Sequence, residues 1–304
     1  MSGDRAKGIY DAMVKEILSY KCILARIMKY TVTEMAGYSE DEIISFIEGT
    51  PAVAEEPLYE EAKSRVFGVE SVDTIDGEGT VTFDVVFTVR NRLIKLYVNV
   101  EAQNDSSPGY DLVTRAIYYC ARLLSKQYGR EFDGKHYDGI KKVYSIWICT
   151  NPSVRERDTI TRYSVKPEFL FGKISERVRY DLLSVVMVCL KPGSANDLIR
   201  VLYTLFTNSA SREEKRTIVA TEFGEEVAKQ MEGGIGVMCN LSDYIEEKGI
   251  AKGLEKGLEK GREEGLEKVA NLYVKGYISY EVALEQVGDK KLLDKLIASQ
   301  TACV

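Results

Sequence analysis

Two short segments constrain this chain more than any other part of it: Phe83-Asp84-Val85-Val86-Phe87 and Val98-Asn99-Val100-Glu101-Ala102-Gln103. Each alternates apolar and other residues with the period of a strand, and a polar break at Arg90-Asn91-Arg92 separates them, so together they predict a β-hairpin. On the first strand Val81, Phe83, Val85, Phe87 and Val89 share one face, leaving Asp84 on the other. On the second, Ile94, Leu96, Val98, Val100 and Ala102 share a face opposite Asn99, Glu101 and Gln103. A two-residue loop at Asn91-Arg92 pairs Arg90 with Leu93, Phe83 with Val100 and Asp84 with Asn99.

That register brings the apolar faces together and sets Glu101 diagonal to Asp84, about 7 to 8 Å away between backbones. A slip of one residue would separate the two acids and also break the hydrophobic match. Two carboxylates and an amide on one sheet face are a suitable donor set for a hard cation. The same residues also fit the solvated side of an ordinary hairpin.

Around the hairpin, Ala6 to about Ala36 is helical in period, with Ile9, Met13, Ile17, Leu18, Leu24, Ile27 and Met28 as its apolar positions. Asp41 to Glu48 predicts a short helix ending near Gly49 and Pro51, and Arg65 to Asp76 a first strand. Ser107 and Pro108 suit an N-cap and first helical position, with Gly129 as the stop. Between them Val113, Ile117, Cys120 and Leu124 form an expected buried stripe, and Arg115, Tyr119, Arg122 and Lys126 a second stripe, read either as a phosphate-facing surface or as a basic amphipathic one. Lys142 to Cys149 reads as a buried strand, and Val185 to Leu190 as a strand or a buried helical segment. The order is helix, three strands, helix, strand: an α/β core with a mixed sheet flanked by helices.

Several chemistries are excluded by what the chain lacks. Its one histidine, His136, sits in the polar loop Asp133 to Gly139, which suits a solvated or loop-bracing role better than a catalytic triad or a multi-histidine zinc site. The six cysteines (Cys22, Cys120, Cys149, Cys189, Cys239, Cys303) have no paired short spacing and read mostly as buried thiols of a reducing compartment. No phosphate-binding loop or dinucleotide fingerprint occurs, so no nucleotide cofactor is expected. The polar start and the shortness of Leu182 to Leu190 predict no signal peptide, no membrane partner and a cytoplasmic protein.

Net charge is −6, but it is unevenly spread: Leu112 to Tyr180 has 14 Lys and Arg against 7 Asp and Glu, whereas Glu40 to Glu61 has 8 acids and no base. Arg155, Arg157, Arg162, Lys166, Lys173, Arg177 and Arg179 in that basic middle suit nonspecific phosphate contact, or an ordinary solvated surface.

The order Asp84, Glu101-x-Gln103, then a helix with Arg115 and Tyr119, preceded by Asp11-Ala12-Met13-Val14-Lys15, resembles the recombination-promoting, transposase-like group of the PD-(D/E)XK nuclease superfamily. The match spans residues 8 to 150. The resemblance implies a restriction-endonuclease-like core and a Mg²⁺-dependent DNA endonuclease, with Mn²⁺ as a substitute ion. It implies Asp84 and Glu101 as metal ligands, Gln103 positioning water or the scissile phosphate, Asp11 (or Glu16) reaching in from the first helix, and Arg115 and Tyr119 on the substrate side. The wider superfamily has lysine where this chain has Gln103, and an amide orients only by hydrogen bonds. The competing expectation is a noncatalytic protein that keeps the fold and binds DNA or self-assembles.

The C-terminal region is expected to be helical, divided from the core near Pro192 to Asn196, giving regions 1–193 and 194–304. Gly249, Gly253, Gly257, Gly261 and Gly265 recur every four residues among Lys and Glu, forming one helical stripe that suits either a charged linker helix or homo-oligomer packing. Leu272 onward reads as a small helical pair.

Overall fold

A computed structural model describes residues 3–49, 52–53, 72–75, 79–104, 108–172, 178–207 and 209–301. In chain order the elements are α1 Gly3–Leu18, α2 Lys21–Thr31, α3 Glu40–Phe46, β1 Ala52–Val53, β2 Val72–Ile75, β3 Gly79–Thr82, β4 Val85–Arg90, β5 Lys95–Gln103, α4 Leu112–Ser125, β6 Lys142–Cys149, β7 Thr159–Ser164 and β8 Leu183–Cys189. Then come α5 Asp197–Phe206, α6 Arg212–Phe223, α7 Glu225–Val274, α8 Tyr280–Val287 and α9 Lys290–Thr301. Of the sequence-based expectations, Arg65–Ser71, Asp76, Pro51, Ser107, Lys173, Arg177 and Cys303 lie outside the described residues.

The fold is α/β. Its main sheet has the order β1-β4-β5-β6-β8-β7, with β5, β6 and β8 parallel and the outer strands antiparallel. The parallel pair β5 and β6 is joined through α4, because parallel neighbours need a crossover and a helix supplies it. Both faces of the sheet are covered, which explains why β6 and β8 are apolar almost throughout rather than alternating. On one face Val85, Phe87, Val98, Val100, Ile146 and Val188 pack with residues of α2 and α5. On the other, Val86, Tyr97, Trp147, Val185 and Met187 pack beneath Leu112, Ala116, Tyr119, Cys120 and Leu123 of α4.

The long N-terminal helix expected from Ala6 to Ala36 is two helices. Ser19 ends the first by bonding its hydroxyl and N–H back to the carbonyl of Glu16, and Tyr20 is extended. The break lets α2 bury Ile23, Leu24, Ala25, Ile27 and Met28 almost completely. α3 begins at a capping box, Ser39 with Glu42, as its Ser-x-x-Glu sequence dictates. α2, α3 and α6 are tied together by Arg26, which bonds Glu40 and Glu222 and lies 5.0 Å over the Phe223 ring. Arg26→Ala leaves two half-buried carboxylates without their shared cation and is expected to cost about 2–3 kcal/mol, read as a lower urea midpoint at unchanged slope.

The hairpin forms with a longer loop than expected. Arg90 pairs with Lys95, not Leu93, and Val85 with Val100. The Asn91 side chain accepts hydrogen bonds from the N–H groups of Leu93 and Ile94 at 2.8 and 2.9 Å, organising a four-residue turn that a two-residue loop cannot accommodate. A shift of two residues conserves the faces of β4 and β5, since side chains alternate with period two. It does change partners: Asp84 comes opposite Glu101 instead of Asn99. Phe83 departs from the expected face. β4 starts only at Val85, and the bend at Asp84 turns Phe83 to the α4 side, where its ring meets Tyr119 edge-on at 5.3 Å.

α4 starts later than expected, capped by Asp111 accepting from Val113 N–H, and Gly129 lies beyond its end, in a left-handed turn. Its buried stripe is rotated from the expected one: Ala116, Tyr119, Cys120 and Leu123 are inside, and Ile117 is 45% exposed. In this orientation Tyr119 packs its ring on Phe83 and Trp147, and Leu123 is 1% exposed.

Compact packing divides the described chain into units Met1–Ser242 and Asp243–Val304, not at 193/194. The reason is that α5, α6 and the start of α7 put Leu198, Val201, Leu202, Val219, Met231 and Ile235 into the same core as β4 and β5. In the second unit Ala270, Ala283, Val287 and Leu293 form a small core around the expected terminal helical pair, α8 and α9. A methyl group added at Gly253, Gly257, Gly261 or Gly265 would meet nothing within 4 Å. No helix among the described residues is long and apolar enough to cross a membrane.

Candidate active site

Asp84 and Glu101 face each other at the mouth of the hairpin through reciprocal contacts. The Asp84 N–H donates to Glu101 Oε1 at 3.1 Å, and the Ala102 N–H donates to Asp84 Oδ2 at 3.0 Å. Asn99, two residues earlier on the same face of β5, donates from Nδ2 to Glu101 Oε1 at 2.9 Å, while its Oδ1 is buried with no partner. Glu101 itself is 4% exposed. Burial pushes its carboxyl well above the usual carboxylate range, and the neighbouring Asp84 charge pushes it further; the Asp84 N–H, Asn99 and the more distant Arg115 pull against this.

The cation nearest to this pair comes from α1. Lys15 Nζ lies 3.2 Å from Asp84 Oδ1, both side chains being largely buried. Asp11, the residue expected to reach in from this helix, stands one turn earlier and is exposed. Among the described residues no three or more His, Cys, Asp or Glu side chains form a metal-holding group, so Asp11 does not join Asp84 and Glu101 as a third ligand, nor does Glu16. Helical spacing places residues 11 and 15 on one stripe. The sequence alone indicated the stripe but not which of its residues reaches the sheet.

On the α4 side, Arg115 is held by tyrosines. Its Nε and Nη2 donate to Tyr119 Oη at 3.2 and 2.6 Å, and Nη1 donates to Tyr110 Oη at 2.8 Å. Its guanidinium carbon is 5.0 Å from the Tyr119 ring centroid and 5.2 Å from that of Trp147. Tyr119 is therefore a buried strut for Arg115, and burial raises its phenol above the ordinary value. Gln103 ends β5 in register with Cys149 of β6, and its carbonyl accepts the Thr150 N–H at 3.0 Å.

No family model, curated protein or solved structure matches this chain.

Mg²⁺ is held in many sites by one or two carboxylates with water completing its shell, and Asp84 with Glu101 offers that set. Once Glu101 is ionised, the two facing carboxylates carry more negative charge than Lys15 offsets, and a divalent cation would relieve it. The pair fits such an ion.

Elsewhere, part of the expected basic surface is engaged within the chain. Arg162 donates to Thr33 Oγ1 and to the Thr31 carbonyl, Arg179 to the carbonyls of Asp138 and Ile140, and Arg157 Nε to the Pro152 carbonyl at 3.3 Å; all three are exposed, as are Arg155 and Lys166. His136 is exposed with Nδ1 2.9 Å from Asp133 Oδ1, bracing its loop. Cys120, Cys149 and Cys189 are buried, as their apolar neighbours suggested.

Proposed function

We propose that the chain is a Mg²⁺-dependent DNA endonuclease of the recombination-promoting, PD-(D/E)XK-like kind. The observation that carries this reading is the buried Glu101 opposed to Asp84 at the mouth of a hairpin that feeds, through α4, into a parallel strand. That order of hairpin, helix and parallel strand supports a restriction-endonuclease-like core. Asp84 and Glu101 would hold the ion, which when bound lowers the pKa of a water and offsets charge on the phosphate oxygens.

The chain's own residues supply the rest. Lys15 fixes the Asp84 carboxylate and brings a positive charge where the strand lysine of the wider superfamily is replaced by Gln103. Gln103 orients the attacking water or the scissile phosphate by hydrogen bonding. Each terminal nitrogen of Arg115 has a second N–H beyond the one bonded to tyrosine, and these would donate to a phosphate oxygen. Arg115→Lys keeps a charge but loses the fork between Tyr110 and Tyr119, and is expected to raise KM for DNA about tenfold with a smaller change in kcat, as steady-state cleavage would read.

A second reading is favoured by the Lys15 contact itself: a cation already placed on Asp84 suits a noncatalytic DNA-binding or self-assembling protein on the same fold. Supercoiled plasmid incubated with Mg²⁺ separates the two. The nuclease reading expects nicked and linear products from the wild type, none with a chelator, and none from Glu101→Gln. Cleavage unchanged in Glu101→Gln would remove the mechanism, and DNA binding without cleavage in the wild type would select the second reading.

A further inference from the structure

On the α4 face of the sheet, the face of Trp147 opposite Glu101 in register, lies a cavity of about 160 Å³ between the start of α4, the loop after β6, and β7 and β8. Its lining includes Tyr110, Cys149, Glu156, Thr159, Tyr163 and Met187. Two features join it to the site. Tyr110 accepts a hydrogen bond from Arg115, the phosphate-directed cation, at 2.8 Å. The loop carrying Glu156 is fastened to the end of β5, with Thr150 N–H donating to the Gln103 carbonyl and Thr150 Oγ1 lying 3.0 Å from Asn104 Oδ1.

Strand register fixes the separation. Gln103, Cys149 and Cys189 are successive partners across β5, β6 and β8, so the cavity floor runs from one to two strand spacings, roughly 5 to 10 Å, from the strand that carries Glu101. A phosphate held at Arg115 and its own sugar and base span that gap. A base still paired in a duplex is stacked on both faces and cannot enter a cavity; an unpaired one can. The floor of thiol and thioether sulfur is apolar and polarizable, the two tyrosines offer stacking surface, and Glu156 offers a carboxylate acceptor of the kind that takes an exocyclic amino proton.

We propose that this cavity takes an unpaired nucleobase with an exocyclic amino group, next to the phosphate at Arg115, so that the substrate is single-stranded or frayed DNA. The inference rests on the nuclease reading for the identity of that phosphate. Thr161, exposed on β7 and lining the cavity, gives a means of blocking it away from Asp84, Glu101 and Arg115.

The test measures fluorescence anisotropy of a labelled oligo(dC) strand, an oligo(dT) strand and a blunt oligo(dC)·oligo(dG) duplex, with Ca²⁺ replacing Mg²⁺ to limit cutting. Wild type is expected to bind oligo(dC) about tenfold more tightly than the duplex, an advantage lost in Thr161→Trp while duplex affinity stays unchanged. Glu156→Leu, which leaves no side-chain acceptor, is expected to remove the preference for oligo(dC) over oligo(dT). Equal loss for strand and duplex in Thr161→Trp, or no loss for either, overturns the base pocket and leaves the nuclease reading standing. Absence of binding to any of the three DNAs overturns both.

Discussion

Glu101→Gln is expected to produce a protein that is more heat-stable than the wild type at neutral pH without divalent cation, and inactive on DNA. Glutamine keeps the oxygen that accepts from the Asp84 N–H and from Asn99, so the local hydrogen bonds survive. What it removes is the ionisable group. In the folded chain burial and the Asp84 charge raise the Glu101 pKa above its ordinary 4.5. A group raised on folding contributes its full stability below the unfolded value and loses it as pH rises through the folded value. Wild type and variant should therefore have matching melting temperatures in acid and diverge upward from about pH 4.5, with the variant higher.

Mg²⁺ should close that gap by raising the melting temperature of the wild type and not of the variant, because only the carboxylate binds it. Cleavage should fall by on the order of 10³-fold, the scale seen when one preorganised charge-stabilising group is removed. Thermal melts across pH with and without Mg²⁺ read all of this in one series. A variant less stable than wild type at every pH would mean that the carboxylate is a structural asset, not a strained ligand.

Lys15→Ala is expected to lower kcat by about 10- to 100-fold while leaving KM for DNA near the wild-type value. Lys15 meets Asp84 Oδ1 at 3.2 Å with both side chains 20% exposed or less, so the contact is poorly screened and fixes the carboxylate's direction. Without it Asp84 can rotate, and the site loses the positive charge that a lysine on β5 would otherwise supply. Lys15→Arg should restore part of the rate, since arginine returns the charge with different reach. Mn²⁺ affinity should rise slightly in Lys15→Ala, because a competing cation has gone. Single-turnover cleavage that is unchanged in Lys15→Ala would make Lys15 a bystander and shift weight to the noncatalytic reading.

Much of the fold was legible because burial enforces period. β6 was readable residue for residue from Lys142 to Cys149, and the faces of β4 and β5 followed from alternation even though the loop between them did not. The loop depended on one side chain, Asn91, whose carboxamide stabilises a longer turn than the Asn-Arg pair suggested. The face of Phe83 depended on where β4 begins, and strand ends are set by tertiary contact, here the Tyr119 ring. The same is true of α4, whose observed buried stripe is shifted by about one residue from the expected one and is selected by what lies beneath it.

In the candidate site Asp84 and Glu101 come opposite each other at one end of the hairpin, with Gln103 two residues further along β5, and Arg115 and Tyr119 do meet, since four residues make about one helical turn. Lys15 was missed in favour of Asp11 because a helix remote in sequence can present any residue of a stripe, and only packing of α1 against the sheet selects one. Asn99 was visible as the polar residue two before Glu101, but its bond to that carboxylate depends on Glu101 being buried. The division at Ser242 was hidden for a related reason: composition shifts near Pro192, but α5 and α6 fill the core of the sheet before them.

The claim on which the rest depends is that Asp84 and Glu101 share a divalent cation. Isothermal titration of Mn²⁺ into wild type and Glu101→Gln, repeated at mildly acidic and mildly alkaline pH, addresses it without reference to DNA. A saturable heat is expected in the wild type, strengthening as pH rises and Glu101 gives up its proton, and it is expected to be lost in the variant. Equal heats from the two proteins at both pH values would contradict it.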